Sequence, residues 1–119
     1  MKKLIIIEDD ADARGMVVFT FENNGYEVIQ SAGEMTVEEI IALKPHVMVI
    51  DYRVNGAPGN DICVKLKADE RTVNIPVILY SATLDMDTIS SGSCADGFIA
   101  KPLELGDFVY LAHRLAFRN

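Results

Sequence analysis

Four places in this chain hold residues that can do chemistry together. Glu8-Asp9-Asp10, Asp51, Ser81 and Lys101-Pro102 each stand directly behind a short apolar run. The runs are Leu4-Ile5-Ile6-Ile7, Val47-Met48-Val49-Ile50, Val77-Ile78-Leu79-Tyr80 and Phe98-Ile99-Ala100. Carboxylates gathered at one point repel each other and cannot all stay ionised without a compensating positive charge. A hard divalent cation, magnesium or manganese, supplies that charge and accepts oxygen ligands, waters and a phosphate in its shell. A carboxylate beside such an ion can attack a phosphoryl group and become an aspartyl phosphate. The cation and the ammonium of Lys101 would offset charge on the transferring group, while the Ser81 hydroxyl can donate to one of its oxygens.

These residues meet only if the elements carrying them lie side by side. Short apolar strands alternate with segments of helical length along the whole chain, with no internal repeat, low-complexity tract or linker. The spacing predicts a strand over Lys3 to Ile7, then a helix from Ala11 to about Asn24 with Met16, Val17 and Phe21 on one face and Gly25 as its stop. Glu27 to Gln30 reads as a second strand. Thr36 and Glu39 have the form of a capping box, opening a helix that reaches Lys44 before Pro45 ends it. Val47 to Ile50 is continuously apolar, as a strand buried on both faces must be. A glycine-containing loop follows. Asn60 or Asp61 then caps a third helix to Ala68, burying Ile62, Cys63 and Leu66. Pro76 to Tyr80 is the fourth strand. Leu84 to Ser93, with Ser90-Ser91-Gly92-Ser93 inside it, is a poor helix former. Gly97 to Ala100 is the fifth strand and Leu105 to Phe117 the last helix.

Five successive strand–helix units imply an α/β fold, a parallel sheet with helices on both faces. Right-handed crossovers leave few windings, and the doubly wound order 2-1-3-4-5 is expected. In that order the functional crevice lies beyond the carboxyl ends of the strands, at the switch point between strands 1 and 3. Strand 1 delivers Glu8-Asp9-Asp10 there, strand 3 Asp51, strand 4 Ser81 and strand 5 Lys101.

The 119 residues suit one domain, taken as residues 1–119, and half are hydrophobic, enough to fill a core. Against 11 Lys and Arg stand 18 Asp and Glu, a formal charge of −7, which repels phosphate backbones and argues against DNA binding by this chain. No apolar run approaches the roughly 20 residues that span a bilayer, and the charged start Met1-Lys2-Lys3 lacks the apolar stretch of a signal peptide. A cytoplasmic protein without membrane contact is the expectation. Cys63 and Cys94 fit neither a zinc pattern nor a disulfide framework and read as reduced thiols.

The acidic cluster after strand 1, Asp51 after strand 3, Ser81-Ala82 after strand 4 and Lys101-Pro102 after strand 5 resemble the receiver domain of bacterial two-component response regulators. The resemblance extends over essentially the whole chain and implies a flavodoxin-like fold. It implies that Asp51 accepts the phosphoryl group from a sensor histidine kinase or a phosphotransfer protein. Asp9 would ligate the metal directly, Glu8 through water, and the backbone carbonyl of Arg53 would complete the protein's share of the shell. Lys101 would pair with the phosphoryl group, and Pro102 would follow a peptide bond that is often cis. Ser81 would be the switch hydroxyl and Phe98 the aromatic that changes rotamer with it. Arg53, Ala82, Thr83 and Pro102 would line the cleft, and Gly59 matches the glycine of the loop after the acceptor strand. A downstream protein target and a monomer or phosphorylation-dependent dimer follow from the same resemblance. With no output domain after Asn119, the chain resembles a stand-alone regulator, or equally the excised receiver of a longer regulator or hybrid kinase.

Asn55 stands where a proline is common in that family. Arg53 brings a long cation to the cleft, where it could pair with Glu8 in the absence of metal. The interval from Ser81 to Lys101 is short for the family, and the deficit falls in the fourth helix, hence on the usual output surface. Asp10 and Asp12 read as first-turn acids favoured by the helix dipole. His46 and His113 read as structural or surface residues. On the last helix Leu105, Phe108, Ala112 and Leu115 suit the core, while Val109 and Tyr110 point elsewhere and offer an apolar patch for a partner. Three other functions compete. An aspartyl-nucleophile phosphatase needs a general acid two residues past the nucleophile, where Arg53 stands and cannot donate a proton near neutrality. A flavin protein needs phosphate donors in the first loop, where Glu8-Asp9-Asp10 puts negative charge. A degenerate receiver acting as a scaffold would have lost part of the constellation.

Overall fold

Backbone alternation decides how the strands of this chain stack. The computed structural model describes every residue except 34, 52, 55, 56, 59, 82–94, 101–104 and 118–119; for 53, 54, 57, 58, 60, 81, 100 and 105 it describes the backbone. In chain order the described elements are β1 (Lys2–Ile7), α1 (Ala11–Glu22), β2 (Tyr26–Ser31), α2 (Val37–Leu43), β3 (Val47–Asp51), β4 (Arg53–Val54), β5 (Ala57–Pro58), α3 (Asn60–Ala68), β6 (Val77–Ser81), β7 (Gly97–Ala100) and α4 (Leu105–Ala116). Five strands form one parallel sheet in the order β2-β1-β3-β6-β7. This is the doubly wound 2-1-3-4-5 arrangement of the sequence analysis. The expected fourth helix, Thr83, Asn55, Gly59 and Cys94 lie outside the described residues.

Side chains of period two split the core into two apolar layers. Leu4, Ile6, Val47, Val49, Ile78 and Tyr80 face Val17 and Phe21 of α1 and Phe108, Ala112 and Leu115 of α4. Ile5, Ile7, Met48, Ile50, Val77 and Leu79 face Ile40 of α2 and Ile62, Cys63 and Leu66 of α3. Both faces of β3 are thus covered, which is why its run is apolar without alternation.

The helix ends follow local chemistry. Asp10 caps α1, its Oδ1 accepting from the N–H groups of Asp12 and Ala13. The Thr36–Glu39 capping box opens α2, with Glu39 N–H donating to Thr36 Oγ1 at 3.1 Å and Thr36 N–H to Glu39 Oε1 at 2.9 Å. Lys44 closes α2 in the left-handed region, φ 53°, immediately before Pro45. Gly25 takes φ 87° between α1 and β2, the position where an L side chain would be strained.

Three expectations are corrected. Met16 is 60% exposed, because the buried stripe of α1 runs through Val17 and Phe21 at i, i+4 and leaves Met16 round the helix with exposed Phe19. Val109 is buried beside Phe108 and Ala112, since the apolar stripe of α4 is wider than one residue per turn, whereas Tyr110 is exposed as expected. The segment after Asp51 is a small antiparallel ribbon, Arg53 pairing with Pro58 and Val54 with Ala57, rather than a plain loop. Among the described residues no helix is long and apolar enough to cross a membrane.

Candidate functional site

Parallel register brings the acids together. Ile7 lies opposite Ile50, so Glu8, the next residue, falls beside Asp51 at the carboxyl end of β3. Glu8 N–H still donates to Ser31 O at 3.0 Å, extending the β1–β2 ladder by one step. The alternation that buries Leu4 and Ile6 therefore carries Glu8 into the same layer, and the residue is fully buried. Asp51 is 9% exposed and Asp9 is exposed at the rim. One carboxylate oxygen from each of Glu8, Asp9 and Asp51 lies within 4.8 Å of the others. Asp10 is the N-cap of α1, one position before the first turn in which the sequence placed it, and of the two acids only Asp12 lies in that turn.

The loop that holds these acids is fastened on two sides. Arg14, in the first turns of α1, donates from Nη1 to the Glu8 carbonyl at 2.7 Å and from Nε to Gln30 Oε1 at 3.3 Å. Tyr80, the last residue before Ser81, donates its hydroxyl to Glu8 Oε1 at 2.7 Å in a buried hydrogen bond. Glu8 Oε2 is approached by Asp10 N–H at 3.4 Å. Tyr80 was not singled out in the sequence. The signal was present: β6 alternates Ile78 and Tyr80 into the layer that also receives Glu8, and only a phenol among large apolar side chains offers a donor there.

The local field is strongly negative. The Tyr80 hydroxyl is pushed far above the ordinary tyrosine range, first by burial, then by its bond to Glu8 and by the charges of Glu8, Asp51 and Asp9. Three carboxylates this close, two of them in the interior, need a cation. Their donor set is all oxygen and one member opens to solvent, which fits a hard divalent ion that keeps part of its water.

Of the remaining expected site residues, Ser81 ends β6 with its backbone opposite Ala100, the last residue before Lys101. Register thus brings Ser81 and Ala100 to the same end of the sheet; the side chain of Ser81, and Ala82, Thr83, Lys101 and Pro102, lie outside the described residues. Arg53 is placed by its backbone in β4, two residues past Asp51, and its expected pairing with Glu8 also lies outside the description. Phe98 is half-buried, opposite Leu79, and packs on the layer facing α2 and α3, not on that of Tyr80. The histidines stand away from the acids: His46 Nδ1 accepts from Lys3 N–H at 2.9 Å, and His113 Nδ1 lies 2.9 Å from the Tyr26 hydroxyl.

Comparison with known proteins agrees with this geometry. Residues 4–112 match the family model described as the response regulator receiver domain. The phosphate regulon transcriptional regulatory protein PhoB of Pseudomonas aeruginosa is 31% identical over 111 residues, covering 91% of this chain and 48% of that protein. The DNA-binding dual master transcriptional regulator RpaA of Synechocystis is 28% identical over 122 residues, all of this chain and 51% of that protein. The chain spans about half the length of these curated relatives. Among solved structures, the signal receiver domain of a signal transduction histidine kinase from Syntrophus aciditrophicus superposes with a TM-score of 0.87 at 24% identity, over 98% of this chain and 90% of that one. The receiver domain of sensor histidine kinase PA1611 from Pseudomonas aeruginosa, with a magnesium ion in its active-site cleft, superposes with a TM-score of 0.81 at 16% identity over 97% of both chains. These two likenesses are of fold.

Proposed function

The chain belongs to the response regulator receiver domain family, and from that premise we propose that it is a two-component signalling module that takes a phosphoryl group onto Asp51 in the presence of a divalent cation. The convergence of Glu8, Asp9 and Asp51 carries this reading, because three oxygen donors within 4.8 Å leave a cation as the natural fourth party. Magnesium in the cleft of the PA1611 receiver supports the same ion, or manganese, here.

The donor is a phosphohistidine on a sensor kinase or phosphotransfer protein. A carboxylate oxygen of Asp51 attacks the phosphorus, the new P–O bond forms as the P–N bond breaks, and the histidine leaves with a proton. Bound beside the acids, the cation supplies charge neutralisation for the phosphoryl oxygens. Asp9 and Asp51 would hold it directly and Glu8 through water, and the carbonyl of Arg53 would offer a further oxygen. Lys101 pairs with the transferred group, and Ser81 turns its hydroxyl onto a phosphoryl oxygen. Phe98 follows Ser81, so that the change reaches the surface. Arg53, Ala82, Thr83 and Pro102 line the cleft.

Residues 1–119 act as one cytoplasmic receiver unit, monomeric or dimerising on phosphorylation, whose output is a contact with another protein. The −7 charge speaks against nucleic acid as a direct ligand of this chain. Incubation with acetyl phosphate and magnesium is expected to add one phosphoryl group by intact mass, and Asp51→Asn to add none. Undiminished labelling of Asp51→Asn refutes the proposal.

A further inference from the structure

We propose that Tyr80 is a positioning residue of the cation site, its hydroxyl fixing the Glu8 carboxylate in the orientation that lets Glu8, Asp9 and Asp51 share one ion. The inference rests on the cation-site reading above. It starts from register. Tyr80 is the strand partner of Asp51, and Ile50, one residue earlier, is the partner of Ile7, so Glu8, Asp51 and Tyr80 form a row across the tips of β1, β3 and β6. Tyr80 is fully buried, and its ring is braced by Phe108 of α4 at 5.8 Å between centroids. A braced ring gives its hydroxyl little freedom, so the 2.7 Å bond to Glu8 Oε1 holds one oxygen while Asp10 N–H approaches the other at 3.4 Å. The carboxylate plane is thereby pinned at both ends. A phenylalanine at this position would keep the ring contacts and remove the donor alone.

Tyr80 touches Glu8, which holds the ion through water, rather than the ion itself, and supporting partners of that kind tune metal affinity by about ten- to a hundredfold. The test uses Mn2+, followed by the resonance of the free ion, and Mg2+, followed by calorimetry. Tyr80→Phe is expected to raise the dissociation constant of both ions by about tenfold or more. In a Glu8→Gln background the same substitution is expected to change nothing further, because its action runs through the Glu8 carboxylate. A purely structural role would lower the unfolding midpoint and leave the affinity of the folded chain intact. Unchanged affinity in a folded Tyr80→Phe, or an equal loss in the Glu8→Gln background, overturns the inference. Glu8→Gln that binds as the parent does instead removes the cation-site reading itself, and this inference with it. Should Tyr80→Phe not fold, the wild-type chain labelled at tyrosine Cζ decides. The Tyr80 resonance is expected to shift on Mg2+ saturation, and a resonance that stays still while Asp51 responds overturns the proposal.

Discussion

Asp51 and Tyr80 sit opposite each other on neighbouring strands, and the Tyr80 hydroxyl reaches past Asp51's strand to Glu8 Oε1 at 2.7 Å. The Asp51 carboxylate therefore lies between a buried acid and the phenol that holds that acid. This row concentrates negative charge at the carboxyl end of the sheet, the place where doubly wound folds bind their ligands. In the function proposed above, that charge recruits the cation.

Asp9 is the exposed member of the acid group, so its removal changes charge without opening a cavity. Asp9→Asn is expected to stabilise the metal-free chain by about 1 kcal/mol or less, through relief of like-charge repulsion. The wild-type chain should gain about 2.7 kcal/mol at a hundredfold excess of Mg2+ over its dissociation constant, and Asp9→Asn should lose most of that gain. Urea unfolding with Mg2+ and with chelator measures both. A variant weaker than wild type without metal, yet fully stabilised by it, contradicts the arrangement.

His46 predicts a pH dependence far from the acids. Partial loss of water around the ring, then the charges of Lys2, the amino terminus and Lys3, hold its imidazole below the ordinary histidine range. Its Nδ1 accepts from Lys3 N–H, and a proton there would abolish the acceptor. Because the folded chain binds this proton less readily than the unfolded one, the contribution is complete above the unfolded value, about 6.5, and is lost as pH falls through it toward the lower folded value. His46 is exposed, so the effect is small. The urea midpoint should drop between about pH 7.5 and about pH 5.5 in the wild type, and less in His46→Asn. Parallel curves for the two chains contradict this.

Thr36 and Glu39 cap α2 reciprocally, and hydrogen bonds from Thr36 hold the Glu39 carboxyl below its ordinary range. Thr36→Ala is expected to cost about 1 kcal/mol of unfolding free energy. Equilibrium urea denaturation checks it, and a change near zero would mean that α2 is held by packing alone.

The fold was legible because its signals are local. Apolar runs ending in a polar or charged residue marked β1, β3, β6 and β7, and the Thr36–Glu39 spacing marked the start of α2. The acid group was legible for the same reason: Glu8, Asp9 and Asp51 follow strands whose register the fold determines. Met16 and Val109 were misread because periodicity on an apolar helix does not say which of two adjacent apolar residues faces the sheet. Tyr80 was passed over because it ends an apolar run and reads as core, which it also is. Its second role depends on which strand lies next to it. Only the register of β1, β3 and β6, a property of three distant segments, puts its hydroxyl against Glu8.

The most direct measurement of the central claim is the position of the phosphoryl group and its dependence on the cation. After acetyl phosphate treatment, borohydride reduction converts an aspartyl phosphate to homoserine, which peptide sequencing by mass spectrometry locates. Homoserine at position 51 with Mg2+, and almost none with chelator, is the expected result. Homoserine at another carboxylate, or the same yield at position 51 without a divalent ion, contradicts it.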